Sequence, residues 1–183
     1  MAPWLQVLLL WLLFGGSHLF LGKRWLRERM GKWPYTVLFS TVAGVLFFPL
    51  VVVYVQLRHT GAPGFGLMGV EWARWALYAL SALGVVFVTV ASIRYPWQPN
   101  RALVEHTSAP WGITKITRHA HFVGFAMWAI AHTLLTPFLV DTVFFGGFAV
   151  LSIAGTYTQD KKLLKRRGAP YQQLIDQTSV VPF

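Results

Sequence analysis

Residues 3 to 22 read PWLQVLLLWLLFGGSHLFLG, a run with no Asp, Glu, Lys or Arg. A helix needs roughly 20 apolar residues to cross the hydrocarbon core of a bilayer, and this run supplies them. Four further runs have the same character: Pro34 to Leu57, Glu71 to Ile93, His119 to Phe138 and Val140 to Thr156. In lipid every backbone N–H and C=O must be satisfied within the structure, which leaves helices or closed barrels. Continuous apolar runs, rather than alternating ones, select helices. The expected fold is all-α, an integral membrane bundle of about five transmembrane helices in a single domain over residues 1–183. The run at 140–156 is the shortest and carries Gly146 and Gly147, and residues 157–183 follow as an amphipathic tail.

The charges order these helices. Lys23, Arg24, Arg27, Arg29 and Lys32 follow the first run, Arg94, Arg101, Lys115 and Arg118 lie between the third and fourth, and Lys161, Lys162, Lys165, Arg166 and Arg167 follow the fifth. Only Arg58 and Arg74 fall on the other connections. By the positive-inside rule the N-terminus is expected outside and the C-terminal tail inside; a four-span chain would break the alternation. A formal charge of +10 would otherwise raise nucleic acid as a partner, but with 55% apolar residues and the cations set between apolar runs, membrane lipid is the expected partner and nucleic acid is not. The basic cluster follows the first apolar run instead of preceding it, the reverse of a signal peptide, so a retained helix is expected there. A multi-pass protein of the bacterial inner membrane or its equivalent follows.

The connections differ in kind. RHTGAPGFGLMG, rich in glycine and proline, predicts an external turn. RYPWQPNRALVEHTSAPWG is longer, and Pro96, Pro99 and Pro110 forbid a continuous helix through it. In the tail, Leu163 and Leu164 beside a cationic face predict a segment lying on anionic headgroups.

Against this apolar background the histidines stand out, because a polar side chain within a span needs a partner. His18 lies near the inner end of the first run, with Gly15 and Gly22 on its helical face. His121 and His132 share a face of the fourth run with Gly124, Phe125, Trp128 and Leu135, while His119 points away from it and reads as interfacial. The rise along that helix separates His121 from His132 by about 16 Å, so they cannot clamp one metal between them. A two-histidine centre therefore needs a ligand from another helix, and His18 is the intramembrane candidate. Imidazoles on two helices with small and aromatic residues between them suit a non-covalently held haem, although an aromatic stripe is more often helix packing. Zinc lacks carboxylate or thiolate partners here. With no cysteine in the chain, disulfides and covalent haem attachment are excluded. Depth leaves the pairing open: His132 lies about 20 Å from the inner surface and His18 about 6 Å, so either helix ends shift or His121 faces His18. His59 and His106, in connections, read as solvated.

GITKITRHAHFVGFAMWAIAHTLL resembles the NnrU family of membrane proteins, and within it most closely the 15-cis-zeta-carotene isomerase branch. The resemblance rests on Thr117-Arg118-His119, Val123-Gly124, Trp128 and Ala131-His132-Thr133-Leu134. It continues in GTYTQDKKLLKRRGAPYQQLIDQTSVVPF and, more weakly, in GGSHLFLG and YTVLFSTVA. Ala120 stands where family members usually carry proline, and Ala129 where the isomerase branch has cysteine.

The resemblance implies a haem b protein with His18 and His132 as the metal ligands, while His121, on the same helical face as His132, remains its competitor from spacing. Trp128, Gly15 and Gly124 would surround the cofactor, and Arg118 would orient haem propionates or a loop. It further implies cis-to-trans isomerisation of the central 15-15′ bond of a carotenoid, from 9,15,9′-tri-cis-zeta-carotene to the 9,9′-di-cis form. The haem iron itself would carry the chemistry, on a lipophilic polyene, with an electron donor to keep it reduced. Two alternatives belong to other classes: a non-catalytic or electron-transfer haem protein of nitrogen-oxide metabolism, and a membrane methyltransferase. The methyltransferase reading needs paired tail carboxylates where this chain has Gln159 and Asp160.

Overall fold

The computed structural model describes residues 1–93, 110 and 112–181. Most of the long internal connection lies outside the described residues, including His106 and the expectation that the connection folds back on the bundle; so does the terminal Pro182-Phe183. The described residues form seven α-helices: α1 (Pro3–Leu21), α2 (Arg24–Met30), α3 (Lys32–Leu57), α4 (Glu71–Ile93), α5 (Ala120–Leu135), α6 (Leu139–Arg167) and α7 (Ala169–Gln177). Short 3-10 turns at Leu67–Gly69 and Gly112–Lys115 lead into α4 and towards α5. The one isolated bridge pairs Pro63 with Phe138.

Helices α1, α3, α4 and α6 are long and apolar enough to cross a membrane, and α5 is a shorter apolar helix. The chain is therefore an all-α membrane protein. The relative lengths differ from expectation, because α5 has 16 residues whereas α6 runs for 29 and is the longest helix among the described residues. Helix α5 is cut short at both ends, by a non-helical His119 with φ −116° and by Thr136 in extended conformation. Past Thr156, the sequence YTQDKKLLKRR contains nothing that stops a helix, so α6 continues until Gly168, which takes φ 61°. Pro170, in the first turn of α7, then starts a new helix. The separate amphipathic tail expected from residue 157 is corrected accordingly. Leu163 does not lie on headgroups but is buried with Tyr171 and Leu174 as α7 folds back on α6.

The neighbours in the bundle run α3, α1, α6, α5, α4, with α6 central. Aromatic side chains lie against glycines along these contacts: the Trp11 ring covers Gly147, and Phe122 covers Gly155. The largest apolar cluster joins Val7, Trp11 and Phe14 of α1, Leu50 of α3, and Val140 and Phe144 of α6.

Among the described residues, the basic ones that follow α1, precede α5 and end α6 lie at one end, which we call inner. There Lys162 approaches Gly22, and Arg118 reaches Asp160 and Ser179. At the outer end the 58–70 connection covers the α5–α6 turn. Gly64 N–H donates to Pro137, Gly66 N–H to Thr136 and Leu139 N–H to Ala62, each at 2.8 Å. These bonds satisfy carbonyls and amides that the helix ends would otherwise leave open.

Candidate functional site

Helix α1 places His18 one turn from its inner end, half-buried between the rings of Phe14 and Phe39, 4.3 and 4.9 Å away. Its Nδ1 lies 3.1 Å from the Phe14 carbonyl oxygen. A carbonyl only accepts, so Nδ1 carries the proton and Nε2 keeps its lone pair. The same logic holds for His132 near the outer end of α5. Its Nδ1–H donates to the Trp128 carbonyl at 2.8 Å, and its ring lies 4.8 Å from both Trp128 and Phe145. Among the described residues neither Nε2 has a hydrogen-bond partner. An imidazole whose Nδ1–H is spent on a backbone carbonyl is the tautomer that metal-binding histidines adopt. Taken singly, each fits an iron.

The two rings are not neighbours. Phe14 and Trp11, with ring centroids 5.7 Å apart, and then Phe148, 5.0 Å from Trp11, and Trp128, 5.8 Å from Phe148, form the chain of rings between them. Helices α1 and α6 run parallel, with Trp11 against Phe144 and Phe148, so His18 lies level with a point two turns or more past Phe145, the ring that touches His132. That is an offset of roughly 10–15 Å along the bundle axis.

His121 occupies a third environment. It is 7% exposed, and its Nε2 is 3.1 Å from Ser92 Oγ on α4. Ser92 spends its own hydroxyl proton on the Val88 carbonyl at 2.8 Å, so Nε2–H is the donor to Oγ and Nδ1 is left as a bare lone pair. Among the described residues no partner meets that nitrogen. His121 thus faces α4, not α1. Gly124, one turn on, serves the α4 crossing, where a Cβ would meet the Gly84 carbonyl oxygen at 2.6 Å. Gly15, by contrast, has nothing within 4 Å of a built Cβ.

Rings collect at the centre of the bundle. Phe145 and Phe148 of α6 meet Trp128 of α5 at 5.3 and 5.8 Å, and they meet Tyr54 and Phe47 of α3 at 5.8 and 5.9 Å. With His132 these rings make an aromatic face shared by three helices, and at its outer edge the Tyr54 hydroxyl meets Asp141.

Ionic chemistry is confined to the two ends. At the inner end Arg118, 8% exposed, donates from Nε to both oxygens of Asp160 at 3.1 Å and from Nη2 to Oδ2 at 2.7 Å. Its Nη1 donates to the Thr178 carbonyl at 2.7 Å. These partners tie down the C-terminal segment, and each nitrogen of the side chain takes part in a hydrogen bond. His119, expected at the interface, is buried and donates from Nε2 to Asp160 Oδ1 at 2.7 Å, where the Tyr171 hydroxyl also donates at 2.6 Å. Burial pushes the Asp160 carboxyl up, but hydrogen bonds from His119, Arg118 and Tyr171 outweigh it and hold the group well below the usual carboxylate range. Tyr171 is pushed up, first by burial and then by its bond to Asp160.

At the outer end Asp141, 1% exposed, accepts the His59 backbone N–H at 3.2 Å, His59 Nδ1–H at 2.8 Å and the Thr136 hydroxyl at 2.9 Å. His59 is exposed, as expected, but paired, and it takes φ 61° to make the contact. Neither end cluster was assembled from sequence, because the partners lie 42 and 82 positions apart. Among the described residues no group of three or more metal-ligating side chains is present.

A family model described as NnrU protein matches residues 6–183. The 15-cis-zeta-carotene isomerase, chloroplastic, of Arabidopsis thaliana is 28% identical over 190 residues, covering 100% of this chain and 50% of the relative. The protein of the same description from Zea mays is 29% identical over 187 residues, covering 97% and 49%. The chain spans about half the length of these curated relatives. No solved structure matches. The chain belongs to the NnrU family.

Proposed function

From membership of the NnrU family, we propose that this protein catalyses cis-to-trans isomerisation of a carotenoid, at the central 15-15′ double bond of 9,15,9′-tri-cis-zeta-carotene, with haem b as cofactor. The observation that carries the reading is the aromatic face of Phe47, Tyr54, Trp128, Phe145 and Phe148, with the His132 imidazole within it. A hydrocarbon polyene offers no ionisable proton and no leaving group, so the ionic clusters at the two ends have nothing to act on. A surface of rings offers dispersion contact along an extended apolar molecule, as pockets for lipophilic ligands do. Similarity to two plant 15-cis-zeta-carotene isomerases supports the same substrate class.

Haem, when bound, would supply reduced iron able to lower the order of the 15-15′ double bond long enough for rotation about it. His18 and His132 are the residues proposed to hold it, each through Nε2, with the Phe14 and Trp128 carbonyls fixing the tautomer. The rings would orient the polyene and exclude water. As the bundle stands the two imidazoles do not fit one iron together, because they sit at different depths with the rings of Trp11, Phe148 and Trp128 between them. A membrane of the bacterial inner or plastid kind is the proposed location, with a membrane-accessible electron donor.

The test uses detergent-purified protein and its His18→Ala and His132→Ala variants. Oxidised and reduced absorption spectra and the isomer composition of added tri-cis-zeta-carotene are recorded for each. A haem band lost or shifted in His132→Ala, together with di-cis product from the wild type, is expected. Haem without product would favour the non-catalytic carrier of nitrogen-oxide metabolism; no haem band in the wild type would remove the cofactor reading. The methyltransferase alternative loses its handle, since Asp160 is taken up by Arg118, His119 and Tyr171.

A further inference from the structure

The three residues before α5, Thr117, Arg118 and His119, are buried although they lie in a connection. What they meet is the chain's own C-terminal segment. The Thr117 hydroxyl donates to the Val180 carbonyl at 2.6 Å, the Arg118 backbone N–H to Ser179 at 3.0 Å, and Arg118 Nη1 to Thr178 at 2.7 Å. Three adjacent donors thus meet three consecutive carbonyls, a register that fixes the segment residue by residue. Helix α7 delivers the segment there, because Tyr171 and Leu174 pack on Leu163 and the Tyr171 hydroxyl bonds Asp160.

We propose that residues 178–181 are a strap closed across the inner end of the bundle, and that Asp160 is the positioning residue of its clasp. The guanidinium is a planar fork; with Nε and Nη2 committed to Asp160, its remaining nitrogen is aimed at the strap. The other side of the carboxylate receives His119 and Tyr171, so one side chain of α6 gathers the start of α5, the helix α7 and the strap. The clasp pins the start of α5 against α6. Through α5 it sets the register in which Trp128 and His132 rest on Phe145 and Phe148. This inference stands independently of the isomerase reading, because it uses neither haem nor substrate.

Hydrogen exchange of the full chain in detergent micelles tests it, comparing wild type, Asp160→Asn, Arg118→Lys, Tyr171→Phe and a chain ending at Gln177. The Arg118 amide has the Ser179 carbonyl as acceptor, so it reads strap closure directly. Its exchange should rise at least tenfold in the truncated chain and in Asp160→Asn, while amides of α1 and α4 keep their wild-type rates. Arg118→Lys keeps the charge but lacks the fork, and should behave like Asp160→Asn. Tyr171→Phe leaves the fork intact, so its rise should be smaller. Protection at Arg118 that survives removal of residues 178–183 would overturn the strap. If Asp160→Asn cannot be purified folded, Arg118→Lys carries the positioning claim, and a wild-type Arg118 exchange rate in that variant overturns it.

Discussion

Gly84 and Gly124 meet backbone to backbone where α4 crosses α5, so close that a Cβ on either would stand 2.6 Å from the other's carbonyl oxygen. Small residues that let two helices approach in this way are a common device in membrane bundles, where lipid supplies no hydrophobic drive to bring helices together. Gly124→Ala should therefore lower stability by about 1–3 kcal/mol through overpacking. Gly15→Ala, with open space around the position, should change it by less than about 0.5 kcal/mol. Unfolding in mixed micelles measures both, and equal effects would contradict the assignment of Gly124 to the crossing.

At the outer end, burial separates the two partners of the His59–Asp141 hydrogen bond. Asp141→Ala leaves the Thr136 hydroxyl and the His59 groups without their acceptor and should cost about 3 kcal/mol. His59→Ala removes a mostly exposed partner and should cost about 1 kcal/mol or less. A thermal-unfolding series in detergent gives the ranking, and a His59→Ala loss as large as that of Asp141→Ala would refute it.

The apolar runs made the helices legible, and the third matches to the residue, Glu71–Ile93. Where a run ended in ordinary helix formers, as after Thr156, hydropathy marked the edge of the lipid and not the end of the helix, so α6 overran the expectation. Pairings between distant elements left no periodic trace. Gly124 was visible as a small residue but its partner Gly84 was not, and His121 was visible without Ser92. Arg118 and Asp160 stand in the sequence only as separate features, because nothing in a single sequence links positions 42 apart. The helical face shared by His121 and His132 was legible from spacing; which neighbour each faces depends on how α5 sits between α4 and α6.

The orphan nitrogen of His121 yields a substitution that should help. Burying an imidazole with one bare lone pair carries a desolvation cost that an apolar ring avoids. His121→Phe should be neutral or stabilising by up to about 1 kcal/mol, whereas His121→Asp should prevent folding. Melting temperature decides, and a strongly destabilised His121→Phe would indicate that Nδ1 holds a ligand in the membrane.

Acid stability follows from Asp160. Its carboxyl is held below the ordinary range in the folded chain, against an unfolded value of about 3.9. The clasp contribution is therefore fully present above the unfolded value and is lost as pH falls through the folded one. The facing groups are Arg118, His119 and Tyr171, with Asp160 supplying the one negative charge among them. Asp160→Asn should lower the melting temperature at pH 7 and flatten its decline below about pH 4. A variant curve parallel to wild type throughout that acid limb would contradict the linkage.

Helix α6 has one more consequence. Its 29 residues make a rod of about 44 Å, longer than the roughly 30 Å of hydrocarbon it crosses. The same uninterrupted piece carries Phe145 and Phe148 among the intramembrane rings and Asp160 beyond its apolar stretch. A helix without a break behaves as a shaft. The clasp at the membrane surface and the aromatic floor on which His132 and Trp128 rest are therefore carried by one uninterrupted helix, roughly 20 Å apart along its axis.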